Sequence, residues 1–401
     1  ALALTSCADL RGSLAAMDPL SLFDLGKTCM WTFIQENSTG PPLGLTANFS
    51  EELGRDGEDL VSNSKGTWFL HVACLIFDEF FERISDLENA LLWRARYAFL
   101  HQNCLTHAVP SLKEMSFKTY RELIPNASAE VCVEASHCFL YYHKYSEAEA
   151  ALLKAQGLTG LNTNLTGKLG LKGKYQTVKA PVLVLEAQSA SYQEVQESLK
   201  PETVKLDEDT YVRERPEVDD EQPFSLTIID QAILLGFVNL TNKTAPDDDG
   251  RRDHVRAYLD TIQQRSQDWL VYSAGLFMKS MNDAKSFKTK ERSVLQLQVL
   301  IDQHKDPEPV QRREWYFAVN YPLRYWMQVE LGEMYMKLGA ALSAYNAFEQ
   351  VGMWEEAIEC LLISGMNKKA KKLAQERLQV KESPRLLCTL GDITKEQSWY
   401  A

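Results

Sequence analysis

The sequence has no apolar stretch long enough to cross a membrane. A spanning helix needs about 20 consecutive apolar residues, and the longest candidate, WFLHVACLIF at 68–77, has roughly half that number. The first residues, ALALTSCADLRGSL, lack both the basic leader and the long apolar segment of a secretory signal peptide. They also lack an initiating Met, so we expect the natural start to lie upstream. We therefore expect a protein of the cytoplasm, with the nucleus as a second location, and no membrane partner.

Positive charge is in short supply. The chain has 43 Lys and Arg residues against 55 Asp and Glu residues, which gives a formal net charge of −12. Nucleic-acid binders usually need a basic surface to neutralise phosphates, so we expect no direct nucleic-acid partner. The stretch 366–385 is locally basic, with seven Lys or Arg residues against two acids. We interpret it as a solvated helix face, with a docking site for an acidic tail as the alternative.

Motifs that signal catalysis are missing as well. The sequence contains no HExxH, GxSxG or CxxC motif. The segment GLNTNLTGKLG (160–170) resembles a phosphate-binding loop, but its glycines are wrongly spaced and Leu169 stands where a Ser or Thr would bind magnesium. We therefore predict no catalytic residue, no cofactor and no enzymatic activity.

Cysteine and histidine do not form a convincing metal site. The eight cysteines are far apart, which is typical of reduced, mostly buried thiols in a chain of this length. His101, Cys104 and His107 lie three residues apart, so on a helix the outer pair diverges by about 120° and about 9 Å. We expect no metal and interpret these residues as structural, with a metal-stabilised domain as a third alternative. The same interpretation applies to Cys132, His137, Cys138 and His143.

Helical patterning fills most of the sequence. The segment LENALLWRARYAFLHQNCL (87–105) has apolar residues mostly three, four and seven apart, as an amphipathic helix requires. A Gly-, Pro- and Asn-rich stretch at 36–66 predicts a loop, and Pro181 weakens the strand propensity of YQTVKAPVLVLEA (175–187). We predict an all-α protein with an N-terminal helical domain (1–157), an irregular and acidic linker (158–223), a helical middle region (224–324) and a repeat region (325–401).

Glycine and alanine recur every thirteen residues near the C-terminal end. The glycines are Gly339, Gly352 and Gly365, and the alanines that follow them by five residues are Ala344, Ala357 and Ala370. Thirteen residues accommodate one helix of about 16 Å and a short turn. Glycine can adopt the positive φ that ends a helix, and alanine lets neighbouring helices cross closely. We therefore predict antiparallel helix hairpins stacked into an α-solenoid.

The same segment fits the tetratricopeptide repeat, a unit of about 34 residues. Units that start at Tyr325 and Leu338 share one helix, and a further unit opens at Ser383 and breaks off at Ala401. We therefore expect the repeat region to be truncated at its C-terminal end. A fainter hairpin at 129–155 also fits, with two unrelated amphipathic helices as the alternative. The predicted structural positions are Leu331, Gly332, Tyr335, Gly339, Ala344, Phe348, Gly352, Trp354, Ala357, Leu361, Gly365 and Ala370.

The first helices of such repeats line a concave groove that binds peptides or helices. The candidate groove residues here are Trp326, Glu333, Met336 and Lys337. In one well-known use of the groove, Lys and Asn at the fifth and ninth positions clamp the acidic C-terminus of a chaperone. Val329 and Glu333 occupy these positions, so we predict that this clamp is absent.

Several segments together resemble the tetratricopeptide repeat protein 27 family. They are DWLVYSAGLFMKS (268–280), TKERSVLQLQVLIDQ (289–303), ELGEMYMKLGAALSAYNAFEQVGMWEEAIECLLISG (330–365) and TGKLGLKGKYQTVKAPVLVLEA (166–187), so the likeness covers about residues 160–401. The resemblance implies an all-helical, non-enzymatic factor that assembles protein or ribonucleoprotein complexes. The partners that the resemblance implies are heat-shock protein 90 with its associated assembly factors, and the large GTPase of the U5 snRNP. The implied process is biogenesis of the U5 snRNP.

The leading hypothesis is thus a protein-interaction scaffold, co-chaperone or assembly factor. The alternative is an enzyme, or a regulatory subunit of one, with a site in the N-terminal helical domain. A deep polar pocket with converging titratable groups between residues 60 and 150 would favour that alternative.

Overall fold

The computed structural model describes residues 7–45, 49, 52–61, 64–170, 175–191, 200–204, 206, 226–266, 268–305 and 312–400. Almost all regular structure in these ranges is helical, which confirms the predicted all-α class. Helices α2 and α3 each continue into a π-helical turn, Gln35–Thr39 and Leu75–Glu79. The helices of the first part are α1 (Cys7–Ala15), α2 (Pro19–Ile34), α3 (Thr67–Cys74), α4 (Ala90–Asn103), α5 (Pro110–Leu123), α6 (Ala129–Tyr141) and α7 (Tyr145–Thr159).

The second part of the chain is a further series of helices. Several of them begin at a side-chain cap that satisfies free backbone N–H groups. Before α10, for example, Asp268 Oδ1 accepts from the N–H groups of Leu270 and Val271 at 2.9 and 3.0 Å. The helices are α8 (Ile228–Thr244), α9 (Asp249–Arg265), α10 (Trp269–Asp283), α11 (Lys290–Asp302), α12 (Tyr316–Val319), α13 (Arg324–Leu338), α14 (Ala341–Val351), α15 (Trp354–Ile363), α16 (Asn367–Leu378) and α17 (Pro384–Thr394).

An antiparallel pair of strands, β1 (Asn162–Gly170) and β2 (Ala180–Gln188), lies in the segment predicted to be irregular. Strand β2 packs on α9, where the Thr261 hydroxyl donates to the Leu185 carbonyl at 3.0 Å. The objection that Pro181 raises against a strand does not hold here. Both members of a two-stranded sheet are edge strands, so a residue without an N–H group can sit on the unpaired side. Irregularity was therefore the wrong prediction for 162–170 and 180–188.

The predicted loop at 36–66 begins with the π-helical turn after α2. Beyond it, the described residues up to Gly66 form turns and two isolated bridges, Arg55 with Glu58 and Leu60 with Leu105. The second bridge ties the loop to Leu105, two residues beyond the end of α4. This described part of the loop is thus held against the N-terminal helices.

Most buried hydrophobic residues of the described ranges fall into two clusters. The first runs from Leu10 to Met334 and includes residues of the N-terminal helices, of β2 and of α8–α13. The second runs from Ala344 to Leu390 and belongs to α14–α17. The predicted N-terminal domain and middle region therefore share one core, and the boundaries between them remain a prediction.

Polar contacts join the N-terminal helices to the middle region inside the first cluster. His137 Nε2 lies 2.8 Å from the Ala318 carbonyl oxygen. Arg96, which is 9% exposed, donates from Nε to Glu134 Oε2 at 2.9 Å and lies over the Phe317 ring at 4.8 Å. Because an unpaired buried charge is costly, this ion pair needs α4 and α6 to stay together.

Candidate functional site

The recurring glycines form the turns of the repeat region. The backbone φ is +85° at Gly339, +73° at Gly352 and +74° at Gly365, a conformation that residues with a Cβ rarely adopt. At each turn, the N–H group after the glycine donates to the carbonyl five residues earlier, which is the Schellman arrangement that ends a helix. The donor–acceptor pairs are Ala340–Tyr335, Met353–Phe348 and Met366–Leu361.

Small residues let the helices of the repeat region approach closely. Ala344, Ala357 and Ala370 are all 0% exposed. At Gly332 a Cβ would meet the Phe348 ring at 2.6 Å, so the ring of α14 occupies the space that glycine leaves on α13. The remaining predicted structural positions are Leu331 and Leu361, which are buried, and Tyr335 and Trp354, which are half-buried.

The fainter hairpin at 129–155 uses the same turn without glycine. Helices α6 and α7 pack together, and His143 between them has φ of +60°. The N–H group of Lys144 donates to the Phe139 carbonyl at 2.8 Å, again five residues back. Ala148 and Leu152 of α7 are fully buried. A repeat-like hairpin therefore lies in the N-terminal half as well as at the C-terminal end.

The four candidate groove residues lie on α13 in different surroundings. Glu333 and Lys337 are exposed and form an ion pair at 3.2 Å. Trp326 is half-buried, and its indole N–H donates to the Asn103 carbonyl at 2.9 Å. Met336 is half-buried and accepts a contact from the thiol of Cys360 at 3.3 Å. Only Glu333 and Lys337 of this set present charged groups to solvent.

The locally basic stretch is largely paired with other side chains. Arg377 covers the ring of Trp354 at 3.5 Å from its centroid, and Lys369 lies over Tyr345 at 4.2 Å. Arg385 of α17 contacts a row of acids on α15, at distances of 3.4, 2.7 and 2.6 Å to Glu355, Glu356 and Glu359 respectively. The last helices are thereby joined by charge as well as by apolar contacts.

A polar pocket of about 370 Å³ lies in the N-terminal part of the molecule. Arg11 forms two hydrogen bonds of 3.0 Å with Glu79 at its edge. Arg55 pairs with Asp78 and donates to the thiol of Cys74. We call it the His71 pocket, and its charged and titratable lining residues include Arg11, Glu52, Arg55, His71, Asp78 and Glu79.

Burial sets the protonation of two groups in the His71 pocket. The pKa of His71 is lowered mainly because burial disfavours the imidazolium, so the ring is neutral near pH 7. Burial is also the largest influence on Cys74, whose pKa is raised, so its sulfur is a thiol. Sequence reasoning did not select these residues. One local signal was available, because His71, Cys74 and Asp78 lie three and then four residues apart and so share one face of a helix. Arg11 and Glu52 lie far away in the sequence, so no local pattern could place them in the same pocket.

His101, Cys104 and His107 do not converge on a common point. His101 is buried, with Nε2 at 2.8 Å from the Leu53 carbonyl oxygen and Nδ1 at 3.1 Å from the Tyr97 hydroxyl. Cys104 is buried and donates to the Leu100 carbonyl. His107 is exposed and pairs with Glu58 at 2.8 Å. Within the described ranges, no group of three or more His, Cys, Asp or Glu side chains is arranged to hold a metal ion.

None of the helices among the described residues is both long and apolar enough to span a bilayer.

Six of the seven cysteines whose side chains are described are buried, and all seven are free thiols.

Comparison with known proteins identifies relatives over nearly the whole chain, although no protein-family model matches it. The chain is 26% identical over 447 residues to the tetratricopeptide repeat protein 27 homolog of Dictyostelium discoideum, covering 96% of this chain and 52% of the relative. It is 24% identical over 450 residues to a TPR repeat-containing protein of Schizosaccharomyces pombe, covering 92% of this chain and 55% of the relative. A tetratricopeptide repeat-containing protein of Caenorhabditis elegans is 22% identical over 393 residues, covering 88% and 50% respectively.

These relatives confirm the family resemblance predicted from the sequence. They extend it into the N-terminal third, where the sequence alone showed mainly helical character. The chain spans about half the length of the curated relatives it matches.

Proposed function

We propose that this chain, a homologue of tetratricopeptide repeat protein 27, is a non-catalytic scaffold that holds partner proteins during the assembly of larger complexes. The observation that supports this most strongly is the regular array α13–α17, with three glycine turns and fully buried alanines at a constant spacing. Such arrays stack helices into extended surfaces suited to binding other proteins.

We propose Glu333 and Lys337 of α13 as part of the partner-binding surface. They are exposed, they lie one helical turn apart, and their removal leaves the buried faces of the array untouched. We propose that Trp326 and Met336 hold α13 in place under this surface, because Trp326 donates to the Asn103 carbonyl and Met336 contacts the Cys360 thiol.

A finer proposal rests on the family resemblance alone. It names the heat-shock-protein-90 machinery and the large GTPase of the U5 snRNP as partners, with action in the cytoplasm and the nucleus. Val329 is buried and Glu333 is acidic, so this repeat would not bind the acidic tail of a chaperone through the two-residue clamp. Contact with the chaperone would then use another surface or an intermediate protein.

The test is quantitative crosslinking mass spectrometry of the tagged chain expressed in cells. We expect crosslinked partners to map to α13–α17 and to be lost when Glu333 and Lys337 are both changed to Ala. Lys372 and Glu376 of α16 form a second exposed ion pair of the same spacing and serve as the matched control when changed to Ala.

Equal loss of partners in both double variants, or no loss in either, would refute the proposed surface. Purified chaperone and purified U5 GTPase are then tested separately for binding to the chain. If neither protein binds, the finer proposal is overturned. The scaffold proposal is then decided by the crosslinking experiment alone.

One observation favours the second candidate function, an enzyme or a regulatory subunit. The His71 pocket collects titratable groups within the N-terminal helical domain. Its chemistry fits binding better than catalysis, because the Cys74 thiol is not activated and both arginines are engaged with carboxylates. We therefore treat it as a ligand site.

A further inference from the structure

His71 is a buried polar side chain whose hydrogen-bonding capacity is unused. It is 1% exposed and lines the His71 pocket. Neither ring nitrogen has a hydrogen-bond partner among the described residues, and Nε2 lies 3.5 Å from Glu52 Oε2. A buried polar group without a partner is costly in free energy, and folded proteins rarely leave one. A ligand that supplies the partner would remove this cost.

Charge in the pocket favours one class of ligand. Two arginines face three carboxylates, and the imidazole is neutral, so the described lining has a net charge of −1. Arg11 is held by Glu79 and Arg55 by Asp78. Glu52 is left with longer contacts, 3.8 Å to Arg11 and 3.5 Å to His71. An added anion would meet excess negative charge, whereas an added monocation would neutralise the pocket.

We infer that the His71 pocket binds a monovalent organic cation, namely a primary ammonium or a guanidinium group. The N–H groups of such a cation donate to the free acceptor nitrogen of His71 and to the Glu52 carboxylate. Charge-assisted hydrogen bonds of this kind are among the stronger polar contacts in proteins. A pocket of about 370 Å³ admits the charged group together with a short alkyl chain.

This inference does not rest on the proposed scaffold function, because the pocket lies outside the array α13–α17. The cation can come from a free small amine or from a lysine or arginine side chain of a partner. The two sources share the chemistry that the pocket recognises, and the experiment distinguishes them.

The experiment titrates the full chain, labelled with ¹⁵N-histidine, with n-butylammonium and n-butylguanidinium while the His71 ring signals are followed by NMR. We expect saturable shifts of His71, and no such shifts with butyrate. In Glu52→Gln we expect binding to weaken by about tenfold, which corresponds to about 1.4 kcal/mol. Glu88→Gln removes the same charge at an exposed position outside the pocket and should leave the affinity unchanged.

Butyrate binding as strong as that of the amines, or amine binding that Glu52→Gln leaves unchanged, would overturn the inference. Absence of any saturable shift would overturn it as well. Tighter binding of N-acetyl-lysine methylamide or N-acetyl-arginine methylamide than of the simple amines would identify a partner side chain as the source. The reverse order would identify a free small amine. Because Glu52 is 40% exposed, its substitution by Gln should not disturb folding, and circular dichroism checks this.

Discussion

The turn residues show what one backbone conformation requires of a side chain. Three glycines and one histidine adopt left-handed φ values from +60° to +85° in four Schellman-type turns. Glycine does so without steric cost, whereas His143 bears the strain of its Cβ. The hydrogen bond of its Nδ1 with the Tyr145 hydroxyl at 3.0 Å and the packing of α6 on α7 help to hold it there. The glycine spacing therefore identified three turns, whereas the fourth was indicated only by the fainter hairpin pattern at 129–155.

We predict that Gly365→Ala destabilises the protein by about 1 kcal/mol, because the turn keeps its positive φ while a Cβ is added. A Cβ at Gly365 meets nothing within 4 Å, so the effect isolates backbone strain from packing. Chemical denaturation measures the free energy of unfolding. Gly365→Asn is the control, since Asn tolerates this conformation better, and a larger loss in Asn than in Ala would contradict the explanation.

Buried histidines predict a loss of stability in mild acid. Burial lowers the pKa of His101 and His137 from 6.5 to about 4. Between these values the unfolded chain binds protons that the folded chain does not, so stability is full above pH 6.5 and is lost as the pH falls toward 4. At pH 5 the loss is about 2 kcal/mol for each histidine, from about 1.36 kcal/mol per pKa unit.

Urea denaturation at pH 7 and pH 5 measures this effect. His137→Gln keeps a donor for the Ala318 carbonyl and removes the titration, so its loss of stability between the two pH values should be smaller by about 2 kcal/mol. His107→Gln, at an exposed position, is the control. An unchanged pH dependence in His137→Gln would show that the acid response comes from other groups.

At the scale of the elements, the sequence predicted the helices well because their signals are local. Apolar spacing along 87–105 and the glycine period in 339–365 are both visible within one or two helices. Strand β1 was missed, and the strand propensity of 175–187 was discounted because of Pro181. The packing of β2 against α9, as at Thr261 and Leu185, favours the strands and is not visible in any local pattern. The His71 pocket was missed for the same reason, since Arg11, Glu52 and His71 meet only in the folded chain.

The crossing of α13 and α14 depends on a complementary pair, Gly332 and Phe348. We predict that Gly332→Ala costs about 1–3 kcal/mol, because its new Cβ overlaps the Phe348 ring. Phe348→Leu alone should also destabilise by leaving space. The double variant should lose less stability than the sum of the losses in the two single variants, because leucine at position 348 leaves free the volume that the added Cβ at position 332 fills. Thermal denaturation of the four proteins gives the coupling, and strict additivity would rule out this contact as the cause.

At the scale of the whole molecule, the two clusters predict unequal local stability. The second cluster, within α14–α17, is much smaller than the first. Small sets of buried contacts open more readily than large ones. We expect hydrogen–deuterium exchange to be faster across 341–394 than in α6, α8 and α10, with the four C-terminal helices exchanging together. Equal protection of α15 and α8 would show instead that the chain unfolds as one unit.

Helix α13 belongs to both clusters: Leu331 and Met334 lie in the first, and Met336 packs against the second. Its N-terminal turn is fastened to the end of α4 through the Trp326 indole and the Asn103 carbonyl. A force applied to the last helices would therefore be transmitted along α13 to its contact with α4. Tension on the C-terminal array would thus reach α4, a helix of the N-terminal part.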